Sequence, residues 1–414
     1  MGLRDTAAVT VLEPDTRGPG PKSWKRDRAL DITIGASYRG AMARAVMLLA
    51  LAIACGGCTF LRIVRHGPSD IDDFKVFDHR ELPPAAEPFH FVDQREPRRI
   101  PRTLRVGGLG KIGLEDYLAR SKTVAFVVVQ GDALLYQRAF GDRTPDTKVQ
   151  IFSVSKSIQS LLVGAAIRER RIRAIEQPIT DFVPELAPRG FSAVTLEHLL
   201  DMTSGSSYVE SDNPFGRHPA LYYGTDMTPD LLDLDLEAQP GQRWRYKSGD
   251  SQLVGLALAR ALAPETITDF ARRVLWEPLG MEHEGSWAID HPGGLEKTFC
   301  CLSMRAIDLA KIGAMVASQG RWRGKEIIPA AWIARATTPR ADAGSAPFYR
   351  LGWWIPPELE GGFMGSGHLG QYLIVLPRSR LVVVRLGERG DGRTQAELIR
   401  LTLALEEELR ARAP

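Results

Sequence analysis

The sequence predicts an α+β fold: an antiparallel sheet flanked by helices, its strands drawn from both ends of the chain, with a mainly helical lobe inserted between them. Three observations predict it. Near-continuous β-branched and aromatic runs at 123–129 and 133–140, with Gln-Gly-Asp between them, read as a hairpin of a well-buried sheet. Apolar runs return at 351–355, 371–376 and 381–386, separated by glycines or by Pro377-Arg-Ser. Between these groups, from about 186 to 344, the apolar spacing is mainly helical.

The elements follow in order. Residues 1–41 are polar and rich in Gly, Pro and Arg without apolar period, so they are expected to be disordered or to precede a true start at Met42. From Met42 the chain reads Met-Ala-Arg, an apolar run at 45–54, then Cys55-Gly-Gly-Cys58, the layout of an export signal too short to span a bilayer comfortably. Gly56 and Gly57 before Cys58 resemble a lipobox, although Cys55 stands where leucine is usual. Residues 1–57 are therefore read as dispensable, and the product as exported, either periplasmic or membrane-anchored through acylated Cys58. Residues 58–105 carry many prolines and charges and suit a tether or an arm laid over the domain.

A domain of 106–414 remains, with a sheet lobe at about 106–185 and 345–414 and the helical lobe at about 186–344. A short amphipathic helix is expected at 114–120. A longer one follows Ser153, carrying Ile158, Leu161, Leu162, Ala165 and Ile167. Helices are also expected at 253–262, 306–316 and 395–409.

Bulk properties exclude several functions. The 53 basic and 50 acidic residues leave a net charge of +3, too small a field to argue for nucleic acid. The four cysteines, Cys55, Cys58, Cys300 and Cys301, have no second ligand pair at metal-site spacing, so no metal or cofactor is implied. Cys300 and Cys301 are expected as two reduced, buried thiols, since bridging neighbours requires a strained ring. No Gly-x-Ser-x-Gly and no His-Glu-x-x-His occurs.

Chemistry gathers at Ser153-Val154-Ser155-Lys156. Positions three apart share a helix face, which brings the Lys156 amine over the Ser153 hydroxyl. A lysine whose pKa is lowered can take the serine's proton and activate it. Alone the tetrapeptide is weak, because about one is expected by chance in such a length and a capping serine followed by a solvated lysine explains it as well. Two downstream segments add to it. In Trp244-Arg-Tyr246-Lys-Ser248 an extended backbone would place Tyr246 and Ser248 on one face. In Gly365-Ser-Gly-His368-Leu-Gly370-Gln371 the glycines permit close approach and His368 offers a donor. Tyr222, Tyr223, Trp287, Trp353 and Trp354 are expected in the core rather than against a substrate.

Ser153-x-x-Lys156, Tyr246-x-Ser248 and His368-x-Gly370, in that order, resemble the three active-site boxes of the serine β-lactamase and penicillin-binding-protein superfamily. The variant is similar to its class C-like members, the family VIII esterases and the 6-aminohexanoate-dimer hydrolases. Connecting segments such as Leu199-Leu-Asp-Met-Thr-Ser-Gly205 and Trp276-Glu-Pro-Leu-Gly-Met281 match as well. The resemblance runs from about residue 123 to the C-terminus and implies an α/β sandwich of β-lactamase type.

It also implies roles. Ser153 would be the nucleophile, Lys156 its proton acceptor and Tyr246 the phenol that carries the proton to the leaving group. Ser248 would fill a position usually asparagine or serine, and His368 with Gly370 the box that is Lys-Thr-Gly in β-lactamases. The backbone N–H groups of Ser153 and Gln371 would form the oxyanion hole. Histidine in place of that lysine removes a cation for a substrate carboxylate and argues against antibiotic hydrolysis. Tyr208 and Glu210 match a cleft loop of the amide hydrolases, but Asp212 stands where an aromatic is expected. The leading expectation is an exported serine hydrolase of a small ester or amide. A D-amino-acid peptidase or weak β-lactamase-like hydrolase, and a catalytically silent envelope binding protein, stand beside it.

Overall fold

Strands from the two ends of the chain meet in one sheet. The computed structural model describes Thr59 and residues 61–96, 99–211, 213–340 and 344–412; the expectations for residues 1–57, Cys58 and Asp212 lie outside the described residues. The main sheet contains β1 (Val92–Asp93), β2 (Thr123–Gln130), β3 (Ala133–Ala139), β4 (Tyr349–Arg350), β5 (Trp353–Trp354), β6 (Phe363–Gly367), β7 (Gln371–Leu376) and β8 (Leu381–Gly387), in the order β4-β5-β6-β7-β8-β2-β3-β1. Every neighbouring pair is antiparallel except β1 with β3. The C-terminal β8 pairs with the N-terminal β2, which closes the sheet across the whole domain.

The strands are apolar almost throughout because both faces are covered. Val127, Val129, Leu373, Val375, Val382 and Val384 face one core; Phe126, Val128, Tyr372, Ile374, Leu381 and Val383 alternate into a second. The first core is built with α1 (Val154–Arg168), α2 (Ser248–Leu262) and α3 (Ala306–Ala317), and the second with Leu114–Arg120 and α4 (Gly392–Ala411). Sequence spacing puts residues 306–316 in the inserted lobe, yet α3 lies on the sheet: a Cβ on its Gly313 would stand 2.5 Å from Val382 and 2.8 Å from Leu373.

Three further features bear on the site. The run at 351–355 is not one strand, since Leu351 (φ 41°) and Gly352 (φ 86°) turn the chain between β4 and β5. β6, rich in glycine, carries too little apolar signal to be expected as a strand. Of the two readings for 58–105 the arm is the one seen at His79–Leu82, which pairs with Gly285–Ala288 in a small four-stranded sheet that also holds Leu302–Met304 and Val149–Gln150. Among the described residues no helix is long and apolar enough to cross a membrane.

Candidate active site

Ser153 is the N-cap residue of α1, but its hydroxyl makes no capping hydrogen bond. Phe152 before it takes a left-handed backbone (φ 47°), a conformation costly for a non-glycine residue and concentrated at functional bends. One turn into α1, Lys156 is only 2% exposed, which excludes a solvated lysine. Its Nζ lies 2.8 Å from Ser153 Oγ, 2.8 Å from the Phe299 carbonyl oxygen and 3.2 Å from Ser248 Oγ. Burial lowers its pKa from 10.5 to about 8, against an opposing pull from the Glu210 carboxylate.

Tyr246 and Ser248 arrive from the segment leading into α2. Lys247 between them is extended (φ −147°, ψ 114°), so the two flanking side chains share a face while Lys247 turns away to the Ser206 carbonyl. The Tyr246 ring packs 4.9 Å from Lys156 Nζ. Burial pushes its phenol well above the ordinary value, the Glu210 charge adds to that rise, and hydrogen bonding with Ser153 opposes it. The phenol therefore stays protonated at neutral pH. Ser248 donates its backbone N–H to Glu210 Oε2 at 2.8 Å and its hydroxyl to Glu210 Oε1 at 2.7 Å.

β6 supplies the third wall. A Cβ on Gly365 would stand 3.0 Å from Val154, and one on Gly367 would stand 2.4 Å from the Ile151 carbonyl oxygen and 3.3 Å from Ser153 N. Only glycine lets this backbone approach the start of α1 so closely. His368 follows at the cleft, its ring edge-on to Phe152 at 5.3 Å.

Two expected members are not among the residues lining the cleft. Gln371 is fully buried, its side-chain amide bonded to the Gly387 carbonyl (2.6 Å) and N–H (3.0 Å). Gly370 (φ 82°) sits under Arg385, whose Nη1 donates to the Gly370 carbonyl at 2.6 Å. The turn His368–Gly370 lies between β6 and β7. The backbone next to Ser153 is that of Gly367, which the spacing of the third box did not single out; two glycines at strand period were the available signal.

Ser153, Tyr246, Ser248 and His368 line one cleft of about 990 Å³. Tyr222 and Tyr223 are buried in the core as expected and also line the cleft, Trp354 lines it half-buried, and Trp287 and Trp353 are core alone. Ile63, Val64 and Pro68 of the arm form another part of its wall, and nothing in their sequence announced it. Cys300, also on the cleft, is bridged to Cys301. The expectation of free thiols weighed ring strain without the left-handed backbone that Cys301 adopts (φ 72°).

Chemically, the arrangement offers a hydroxyl, a buried amine of lowered pKa and a protonated phenol beside the glycine backbone of β6, parts that acyl transfer uses. The family model described as Beta-lactamase matches residues 114–406. The chain belongs to the beta-lactamase family. This beta-lactamase family member is 26% identical over 304 residues to a 6-aminohexanoate-dimer hydrolase of Paenarthrobacter ureafaciens, covering 68% of this chain and 76% of that protein. It is 29% identical over 186 residues to esterase EstB of Burkholderia gladioli, covering 39% of this chain and 46% of the esterase. Its fold is similar to that of a Bacillus anthracis protein assigned as a 6-aminohexanoate-dimer hydrolase, with a TM-score of 0.73, 20% identity, and coverage of 82% of this chain and 94% of that chain.

Proposed function

We propose that this beta-lactamase-fold protein is a serine hydrolase that cleaves a small ester or amide through an acyl-enzyme on Ser153. The observation that carries the reading is Lys156 Nζ, buried and 2.8 Å from a serine hydroxyl that serves no cap. Neutral Lys156 takes the Ser153 proton as Oγ attacks the substrate carbonyl carbon, and the helix start with the Gly367 backbone holds the developing oxyanion. As the tetrahedral species collapses, the C–O or C–N bond breaks and the leaving group takes the Tyr246 proton, which the Lys156 ammonium replaces. Water then hydrolyses the ester on Ser153 by the reverse proton path.

The cleft favours neutral or cationic substrates. Glu210 and Asp391 line it, and among the described residues no arginine or lysine does, so a substrate carboxylate would find no permanent cation there. This supports an ester or amide without a carboxylate over a carboxylate-bearing peptide or lactam, and it agrees with the name of the esterase relative. Rapid mixing with a p-nitrophenyl ester tests the reading. A stoichiometric burst of p-nitrophenol in the wild type, lost in Ser153→Ala, is expected; a burst that survives Ser153→Ala rejects it.

Export is part of the same proposal, with a product that meets the membrane only through a lipid on Cys58 and takes no nucleic acid partner. Its support is the leader-like sequence from Met42 to Cys58. Mass analysis of the mature N-terminus in a bacterial host tests it: a chain starting at acylated Cys58 is expected, and an unprocessed Met42 start contradicts it.

A further inference from the structure

Resting on Ser153 as nucleophile, we propose that Glu210 is a positioning residue: it fixes the direction of the hydrogen bonds around Lys156 so that the amine's lone pair faces Ser153. Glu210 belongs to the cleft-loop segment beside Tyr208 and lies 38 residues from Ser248 in sequence.

The inference comes from counting donors. A protonated Lys156 has three N–H groups and three neighbours to receive them: Ser153 Oγ, Ser248 Oγ and the Phe299 carbonyl. A neutral Lys156 has two N–H groups and one lone pair, so one neighbour must donate to it. Phe299 O has no proton to give. Ser248 has one, but it is committed to Glu210 Oε1 at 2.7 Å, while Glu210 Oε2 is held by the Ser248 backbone N–H at 2.8 Å. Ser248 Oγ is left only as an acceptor. The remaining neighbour is Ser153, whose hydroxyl must point its proton at the lone pair, which is the arrangement that general-base attack requires.

Without Glu210 the Ser248 proton could turn to Lys156 and occupy that lone pair. The carboxylate's own surroundings fit the task. His218 Nδ1 lies 3.5 Å from Oε1 and 2.8 Å from the Tyr208 hydroxyl. Lys156, Tyr208, Tyr246 and Tyr349 all feel the Glu210 charge.

Glutamine at 210 separates this role from a merely structural one. It has nearly the shape of glutamate but one acceptor fewer. Its oxygen would be claimed by the fixed Ser248 N–H, and its NH₂ would then donate to Ser248 Oγ and drive the Ser248 proton toward Lys156. Alanine removes the acceptor without adding a donor. The isosteric change is therefore expected to be the worse one.

The experiment measures the rate at which a fluorophosphonate labels Ser153 in the full chain, with peptide mapping and a thermal melt for each variant. Glu210→Gln is expected to label about a hundredfold more slowly than wild type, at the low end for loss of a general base. Glu210→Ala and Ser248→Ala are each expected to fall about tenfold, the scale of one hydrogen bond. The double variant Glu210→Gln with Ser248→Ala should recover to the Ser248→Ala rate, because the obstructing proton is gone. Ser248→Asn keeps the direction, its NH₂ donating to Glu210 and its carbonyl accepting from Lys156, and should stay within about threefold of wild type; it decides the matter should Glu210→Gln not fold. A Glu210→Gln rate at or above that of Glu210→Ala, or a tenfold loss in Ser248→Asn, overturns the positioning role while wild-type labelling keeps Ser153 as nucleophile. Absence of label on Ser153 in the wild type overturns both.

Discussion

Lowering the pH from 9 to 6 should switch off attack by Ser153, and the size of the effect follows from the burial of one amine. Lys156 serves as base only when neutral, and burial brings its pKa down from 10.5 to about 8. The rate of Ser153 modification should therefore rise with pH along a limb centred near 8. At pH 7 about a tenth of the amines are neutral and at pH 6 about a hundredth, so the rate should fall about tenfold and about a hundredfold below its plateau. On the alkaline side the raised Tyr246 phenol should leave the plateau flat to pH 10. Fluorophosphonate labelling from pH 5.5 to 10 at constant ionic strength reads the limb directly. Lys156→Arg, with a guanidinium that does not deprotonate, should lose the limb and at least a hundredfold in rate. A rate flat between pH 6 and 9, a limb centred at 10 or above, or an unaffected Lys156→Arg would refute the assignment of Lys156 as base.

Three further outcomes are expected. Tyr246→Phe should keep the Ser153 burst with an activated p-nitrophenyl ester but lose at least a hundredfold on an unactivated amide, whose leaving group needs a proton, as seen in steady-state rates on the two substrates. Gly367→Ala would place a Cβ 2.4 Å from the Ile151 carbonyl oxygen; pushing β6 from α1 should lower labelling more than tenfold and stability by about 1–3 kcal/mol, measured by urea unfolding. Arg350 is buried between Asp201 and Glu197, with Nη2 2.5 Å from Glu197 Oε1. Arg350→Ala should destabilise the fold by about 1–3 kcal/mol in the same assay, since Asp201 loses its buried cation while Glu197 keeps Arg335 and Arg340.

The residues proposed to carry the chemistry are readable because they recur at fixed local offsets. Ser153 and Lys156 share a helix turn, and Tyr246 and Ser248 alternate on an extended backbone, so local geometry alone placed each pair. The strands β2, β3, β7 and β8 were readable for a different reason: both faces are covered, so their apolar runs are nearly unbroken. β6 was hidden because closeness to α1 demands glycine at 365 and 367 and so removes the side chains that announce a strand. Gly367 was not singled out as backbone beside Ser153 because glycine carries no side-chain signal for that closeness. The link from Glu210 to Ser248 and the arm at Ile63 and Val64 are long-range contacts, which no periodicity encodes.

The central claim is that substrate carbon becomes bonded to Ser153 Oγ. Quenching the wild type during the burst with a p-nitrophenyl ester and mapping its peptides by mass spectrometry tests this most directly. The acyl mass should appear on the peptide containing Ser153 and be absent from Ser153→Ala. An acyl group on any other residue, or turnover with no acylated peptide at all, would contradict the account.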